Sequence, residues 1–172
     1  MPEIEQVRSK EALEKELNSL KQLSVYEEVR EPENCKTIGC RWVFKKKVDA
    51  DGNLRYRARL VAKGYSQTSN DYNQVFAPAL RPETLRFVLT YATKHNLVSR
   101  HVDIETAYLY AYLQHTIYMK IPPSIEKKGK CWLLRKNLYG LRHSGYEWNQ
   151  HLSKTLKGNG FSQGKADPCL FI

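Results

Sequence analysis

Leucines at 13, 17 and 20 recur at helical spacing among Glu and Lys, which predicts an amphipathic packing helix over residues 8–23. Residues 25–35 are polar, contain Pro32, and read as a connector. From residue 40 to 63 the period changes to two. Trp42, Phe44, Tyr56, Ala58, Leu60 and Ala62 share one parity, and Arg41, Lys45, Lys47, Arg55, Arg57, Arg59 and Lys63 share the other. Strand side chains alternate between faces, so this is a β-hairpin with one mostly apolar face and one basic face. Residues 49–53, with Asp51-Gly52 at the centre, supply the turn. A loop follows from Gly64 to Leu80, carrying Tyr65, Tyr72 and Phe76.

Pro82 opens a second helix at a position where its missing N–H costs nothing. Leu85, Val88, Leu89 and Ala92 form its expected buried stripe, and His95-Asn96 closes it. Leu97 to Val102 then reads as a strand ending on Asp103. After Tyr108 come a short helix or turn, a strand over Ile117–Ile121, a stop at Pro122-Pro123, and another short strand at Cys131–Leu134. Leu138–Leu141 is a turn into a third helix. Ser144 and Glu147 fit a capping box, Trp148, Leu152 and Leu156 share a face, and Gly158 and Gly160 end it. Asp167-Pro168 is a turn, and Cys169–Ile172 begins a strand. The class is α/β in the broad sense (α+β), an antiparallel sheet with packed helices.

The 172 residues are enough for one ordinary domain or two small lobes, and hydrophobic residues make up 41%. No apolar run approaches the roughly 20 residues a membrane span requires. The first residues lack the basic-then-apolar pattern of a secretion signal. Cys35, Cys40, Cys131 and Cys169 do not pair into a zinc spacing, and reduced thiols in an intracellular protein are expected.

Net charge is +10, but its distribution is more informative. Residues 1–35 carry −4, residues 36–67 carry +7, and the rest carry +7. A concentrated positive field attracts polyanions, nucleic acid first. Like charges in a row on a sheet face repel one another, so a sequence that keeps them there points to an anionic ligand. Arg grips phosphate through two parallel hydrogen bonds. A merely solvated basic face is the weaker reading.

The stretch Val102-Asp103-Ile104-Glu105-Thr106-Ala107-Tyr108 leads an apolar residue into an acid, then a small residue and an aromatic. A strand ending on a carboxylate with an aromatic turned to the same space suits a divalent metal beneath a ligand. A solvated Asp at a strand end is the plain alternative for a motif this short.

Five blocks in one order carry a family resemblance. Gly39–Lys47, Asp49–Gly52 and Tyr56–Gln67 resemble the fingers of copia-type retrotransposon reverse transcriptases. Val102–Leu109 resembles their first catalytic motif, Ile117–Met119 with Pro122-Pro123 the segment after it, and Leu138–Arg142 with Trp148 the next. The match runs over roughly residues 20–172. It implies a polymerase of fingers and palm, with an N-terminal helix and connector at 1–35, a fingers-like region at 36–85 and a partial palm at 86–172.

The resemblance also implies site roles. Asp103 would be the catalytic metal ligand, with the carbonyl of Ile104 helping to hold Mg or Mn. Such a palm uses two metals to activate the primer hydroxyl and stabilise the leaving pyrophosphate. Lys45, Arg57, Arg59 and Lys63 are candidates for the incoming deoxynucleoside triphosphate, with the choice between Lys45 and Lys47, and between Arg57 and Arg59, left open. Tyr108 sits where the family sets an aromatic against the sugar, which excludes a ribose 2′-hydroxyl. Tyr139 and Gly140 would line the nucleotide. Arg41, Lys47, Arg55 and Arg142 would contact RNA template and DNA primer.

Several positions depart from the family pattern. Tyr110-Ala111 replaces Asn-Gly, Ser144-Gly145-Tyr146 replaces a small residue followed by Pro and Arg, and Tyr26 replaces a Trp. The family's Tyr-Val-Asp-Asp hairpin is expected after Cys169 and does not occur. Glu105, two residues beyond Asp103, and Asp167, lying in a turn, do not substitute for that acidic pair. The expectation is a truncated polymerase piece, inactive alone and marginally stable, from a Pol polyprotein. It would be intracellular, either cytoplasmic in a virus-like particle or nuclear. A non-catalytic nucleic-acid-binding module and a decayed remnant are the alternatives.

Overall fold

A computed structural model describes residues 3–33, 35–48, 52–68, 74–125 and 127–172. Residues 49–51 of the expected hairpin turn, and Tyr72, lie outside them. Helix α1 (Glu3–Gln22) is followed by strand β1 (Tyr26–Arg30) and the hairpin β2 (Cys40–Val48) and β3 (Leu54–Ala62). Helix α2 (Pro82–Lys94), a 3-10 turn (Ala107–Tyr110), β4 (Tyr112–Lys120), β5 (Lys130–Lys136) and α3 (Ser144–Gly158) complete the order. The mixed α and antiparallel β class is as read from the sequence. One sheet runs β1-β5-β4, and β2-β3 forms a separate two-stranded ribbon. Ile38 ties the two together. Its N–H donates to Tyr118 O at 2.9 Å, and its carbonyl accepts from Lys120 N at 2.9 Å.

The core lies where α1, β3 and the larger sheet meet. Leu20, Leu60, Leu109, Met119 and Trp132 are fully buried there. The ribbon's even-numbered face turns towards α1, as its period predicts, and Ala58, Leu60 and Ala62 are buried. Glu16 of α1 is buried beneath β3 and accepts a hydrogen bond from Leu60 N at 3.3 Å. Burial pushes the Glu16 carboxyl upward, partly offset by the Leu60 bond and by Arg59 and Arg57. The folded chain therefore holds that proton more tightly than the unfolded chain. The stability it confers is present at low pH and is lost as pH rises through the raised value. Glu16→Gln keeps an oxygen for Leu60 N, so at pH 7 it is expected to unfold no more easily than the parent. Glu16→Ala orphans that amide and should cost about 1–3 kcal/mol. Thermal unfolding of both across pH 4–8 checks the pair.

The supposed connector contains β1. Its polar look misled because it is an edge strand whose acids are matched by bases beside it. Glu27 pairs with Arg135 and Glu28 with Lys127, each at 2.7 Å. Tyr26, the position where a Trp was expected, stacks on Trp132 with centroids 3.6 Å apart.

Helix α2 begins at Pro82, but its cap comes from far along the chain. Asp167 accepts from Arg81 N at 3.0 Å and from Cys169 N at 2.9 Å. A hydrogen bond from the Thr84 side chain, with those two backbone bonds, holds its carboxyl below the usual range. The expected buried stripe of α2 is exposed: Leu85 is 46% and Leu89 53% accessible. Periodicity shows that a helix has a face to cover, not what covers it. Residues 97–103, read as a strand, form no regular element, and Val98 and Val102 are 89% and 78% exposed. The run Cys169–Ile172 forms only an isolated bridge, Gln163 to Phe171, closed by two bonds between Ser162 and Ile172. The capping box at Ser144 is also corrected, since α3 starts with His143 as N-cap and no side-chain cap. Ser144 and Glu147 are drawn inward to Asn137 instead.

Candidate functional site

The odd-numbered face of the ribbon carries the site. Lys45 lies opposite Arg57, Lys47 opposite Arg55, and Val43 opposite Arg59. Facing cations destabilise a strand pair unless an anion sits between them. A groove of about 230 Å³ opens on this face, lined by Val43, Lys45, Lys47, Arg57, Arg59, Val61 and Tyr139. The Arg59 guanidinium lies 4.7 Å from the centre of the Tyr139 ring, a cation–π contact that restricts the Arg. Burial pushes the Tyr139 phenol up, partly offset by Arg59, so it stays protonated at neutral pH. Tyr108 completes the row, its ring 5.3 Å from Tyr139 and tilted by 55°.

The Tyr139 turn is fastened to the end of β3. Ala62 N donates to Tyr139 O at 2.7 Å. Gly140 has φ +91°, and a Cβ there would fall 2.2 Å from Ala62 O and 2.6 Å from Val61 Cγ1. Gly64, just after β3, packs as closely from the other side, since a Cβ on it would meet Gly140 O at 2.0 Å. Arg142 completes the clasp. Its backbone N–H donates to Gln67 Oε1 at 3.0 Å, and its guanidinium donates to Gly64 O at 3.2 Å and Tyr65 O at 3.3 Å.

Tyr108 arrives from a different direction. Thr106 turns the chain in the left-handed region, φ +52°. That conformation costs a β-branched residue about 1–2 kcal/mol. Leu109, fully buried, anchors the turn beyond it.

Lys45, Lys47, Arg57, Arg59 and Tyr139 are thus brought to one groove, with Tyr108 beside it. Other expected site residues stand elsewhere. Lys63 lies along Gly39, Arg142 is turned to the backbone of residues 64–65, and Arg41 and Arg55 are exposed outside the groove lining. Asp103 and Ile104 sit in the exposed irregular segment before Thr106. Val43 and Val61 were not anticipated as lining residues, although their odd parity already placed them on this face. A hollow on the outward side of α1, around Glu11, Lys15 and Asn18, has no comparable set of cations.

Residues 23–172 match the family described as reverse transcriptase (RNA-dependent DNA polymerase). The chain belongs to this family. It is 33% identical over 166 residues to the retrovirus-related Pol polyprotein from transposon TNT 1-94 of Nicotiana tabacum, covering 94% of the chain and 12% of that protein. Against the Pol polyprotein from transposon RE1 of Arabidopsis thaliana it is 38% identical over 146 residues, 82% of the chain and 10% of that protein. The truncated transposon Ty1-A Gag-Pol polyprotein of Saccharomyces cerevisiae is 29% identical over 168 residues, with 94% and 14% covered. No solved structure matches. This reverse transcriptase chain spans about a tenth to a seventh of the length of these curated relatives.

Reverse transcriptases generally use a divalent metal. Among the described residues, no group of three or more His, Cys, Asp and Glu is placed to hold one. Asp103 and its neighbour Glu105 fall short of the carboxylates a two-metal site needs. The residues present do not fit that site on their own. No helix among the described residues is long and apolar enough to cross a membrane.

Proposed function

We propose that this chain is the part of a retrotransposon RNA-directed DNA polymerase that receives the incoming deoxynucleoside triphosphate and grips the template–primer backbone. One observation carries the reading: the groove of Lys45, Lys47, Arg57 and Arg59 closed by Tyr139, with Tyr108 at its side. Lys45 and Arg57, facing each other across the ribbon, hold phosphate oxygens. Arg59, laid on Tyr139, presents its fork to the same phosphates. Tyr108 faces the sugar, and the base lies towards Tyr139 and Gly140. Arg41, Lys47 and Arg55 attract the RNA template and DNA primer, while Lys63 and Arg142 add charge at longer range.

Asp103, with the Ile104 carbonyl, serves as one ligand for magnesium or manganese when further carboxylates of a longer Pol polyprotein complete the site. The exposed faces of α2, Val98 and Val102, on the segment that carries Asp103, support a seat for more of that polyprotein. The relatives, seven to ten times longer than the matched stretch, supply such chain. The polyprotein acts inside the cell, in the cytoplasm or nucleus. The exposed setting of Asp103 favours, as a second reading, a module that binds without catalysis.

Calorimetric titration with inorganic tripolyphosphate, then with a template–primer duplex at several salt concentrations, tests the binding. Tripolyphosphate binding is expected, with template–primer affinity falling steeply as salt rises. Absent or salt-independent binding would sink the proposal. Template–primer extension with magnesium or manganese tests the rest: none is expected from the 172 residues alone, and processive synthesis would refute their incompleteness.

A further inference from the structure

A buried hydrogen-bond cluster stands behind the Tyr108 turn. Asn137 is fully buried, and its backbone N–H and side-chain Nδ2 both donate to Ala111 O, at 2.9 and 3.1 Å. Nδ2 also donates to Glu147 Oε2 at 2.7 Å. The other Glu147 oxygen accepts from Gln114 N at 3.3 Å. Ser144 Oγ lies 3.0 Å from Asn137 Oδ1 and 2.9 Å from Leu138 O, sharing one hydrogen between them. Ala111 N in turn donates to Tyr108 O at 3.2 Å.

This latch holds the chain at Ala111 and Gln114, immediately after the Tyr108 turn. Immediately before that turn, Thr106 sits in the left-handed region. A strained turn persists only where its surroundings over-determine it. A buried grip at Ala111, a partly buried one at Gln114 and Leu109 in the core supply that constraint. Tyr139, by contrast, is fastened to β3 through Ala62 and Gly64. The Tyr108 turn is thus tied through Ala111 to Asn137, two residues before Tyr139, and the latch sets the spacing of the two rings that flank the groove.

We propose that Asn137 and Glu147 are positioning residues that fix Tyr108 against Tyr139 and so set discrimination between deoxyribose and ribose without touching the nucleotide. The proposal rests on the reading of the groove as a nucleotide seat with Tyr108 at the sugar. Glu147→Gln puts an amide N–H2 or a lone oxygen where a carboxylate served two donors, and it leaves Lys45, Arg57 and Arg59 untouched. N137D/E147Q restores a donor–acceptor pair between the two positions but sets a carboxylate oxygen against Ala111 O, where the Asn137 amide donated.

The test measures three quantities on the 172-residue chain. They are the affinity for tripolyphosphate, the ratio of affinities for a deoxynucleoside and a ribonucleoside triphosphate, and the nuclear Overhauser contact between the Tyr108 and Tyr139 rings. E147Q is expected to keep tripolyphosphate affinity within about twofold, lower the ratio about tenfold (~1.4 kcal/mol) and weaken the ring contact. The double variant is expected to recover little of the ratio, because the grip on Ala111 is lost with the Asn137 amide. Loss of tripolyphosphate binding in the parent overturns the nucleotide-seat reading itself. A parent that binds both nucleotides equally, or an E147Q ratio unchanged with tripolyphosphate binding intact, overturns the latch. Should E147Q fail to fold, S144A, which removes the hydroxyl from Asn137 Oδ1 and Leu138 O and leaves Glu147 in place, is read the same way, and an unchanged ratio again overturns the proposal.

Discussion

Gly140→Ala is expected to lower the unfolding free energy by about 2–5 kcal/mol and to empty the groove. The estimate joins the cost of a side chain in the left-handed region to that of overpacking. A methyl at this position would meet Ala62 O at 2.2 Å and Val61 Cγ1 at 2.6 Å. Neither can yield cheaply. The first is the backbone of β3, and the second is a short branched side chain that lines the groove. Relief requires the Tyr139 turn to lift off β3, which breaks the 2.7 Å bond from Ala62 N and carries the Tyr139 ring away from Arg59. Gly145→Ala is the matched control. A methyl there meets only Ala77 Cβ at an ordinary 3.5 Å, and Ala favours the first turn of α3. Chemical denaturation of both variants gives the comparison. Equal stabilities would show that the clasp does not hold the turn.

Replacing Arg57 and Arg59 together by Ala is expected to weaken tripolyphosphate binding at least about 100-fold, since each charge-assisted hydrogen bond contributes roughly 1.5–3 kcal/mol. The paired change matters because either arginine left in place would still hold the phosphates together with Lys45, which lies opposite Arg57. Arg59→Lys should recover little of the loss. A lysine retains the charge but not the planar fork that lies on Tyr139 at 4.7 Å. Tyr139→Phe keeps the ring and should bind nearly as the parent does, whereas Tyr139→Leu should resemble the arginine loss. Titration at low salt separates these outcomes. An Arg57/Arg59 double variant that binds as tightly as the parent would remove the groove from consideration.

The elements that read clearly from the sequence are those whose burial is local. The period of two over residues 40–63 gave both faces of the ribbon, and the helical spacing of Leu13, Leu17 and Leu20 marked α1 as a packing helix without saying what it packs on. The order of motif blocks identified the family before any geometry. What the pattern missed depended on partners distant in the chain. β1 is polar because Lys127 and Arg135, a hundred residues on, match its acids. Ser144 and Glu147 have the spacing of a capping box, but Asn137 and the amide of Gln114 compete for the same side chains and win. The stripe of α2 promised a buried face that the described residues do not bury. Nor does a motif around Asp103 reveal that its flanking apolar residues lie exposed. Arg142 shows the same limit in reverse: a cation in a nucleic-acid motif spends its hydrogen bonds on the carbonyls of residues 64 and 65.

The outer edge of β3 has a bearing on how these molecules behave in a crowd. A strand's free amides are templates on which a neighbouring chain can add itself, the first step towards fibrils. At the inner end of β3, the amide of Leu60 is engaged by the Glu16 carboxylate and that of Ala62 by the Tyr139 carbonyl. A foreign strand approaching there meets donors already committed to the chain's own helix and turn. The bonds that fasten β3 to α1 and to the Tyr139 turn thus also guard that end of it against growth by strand addition.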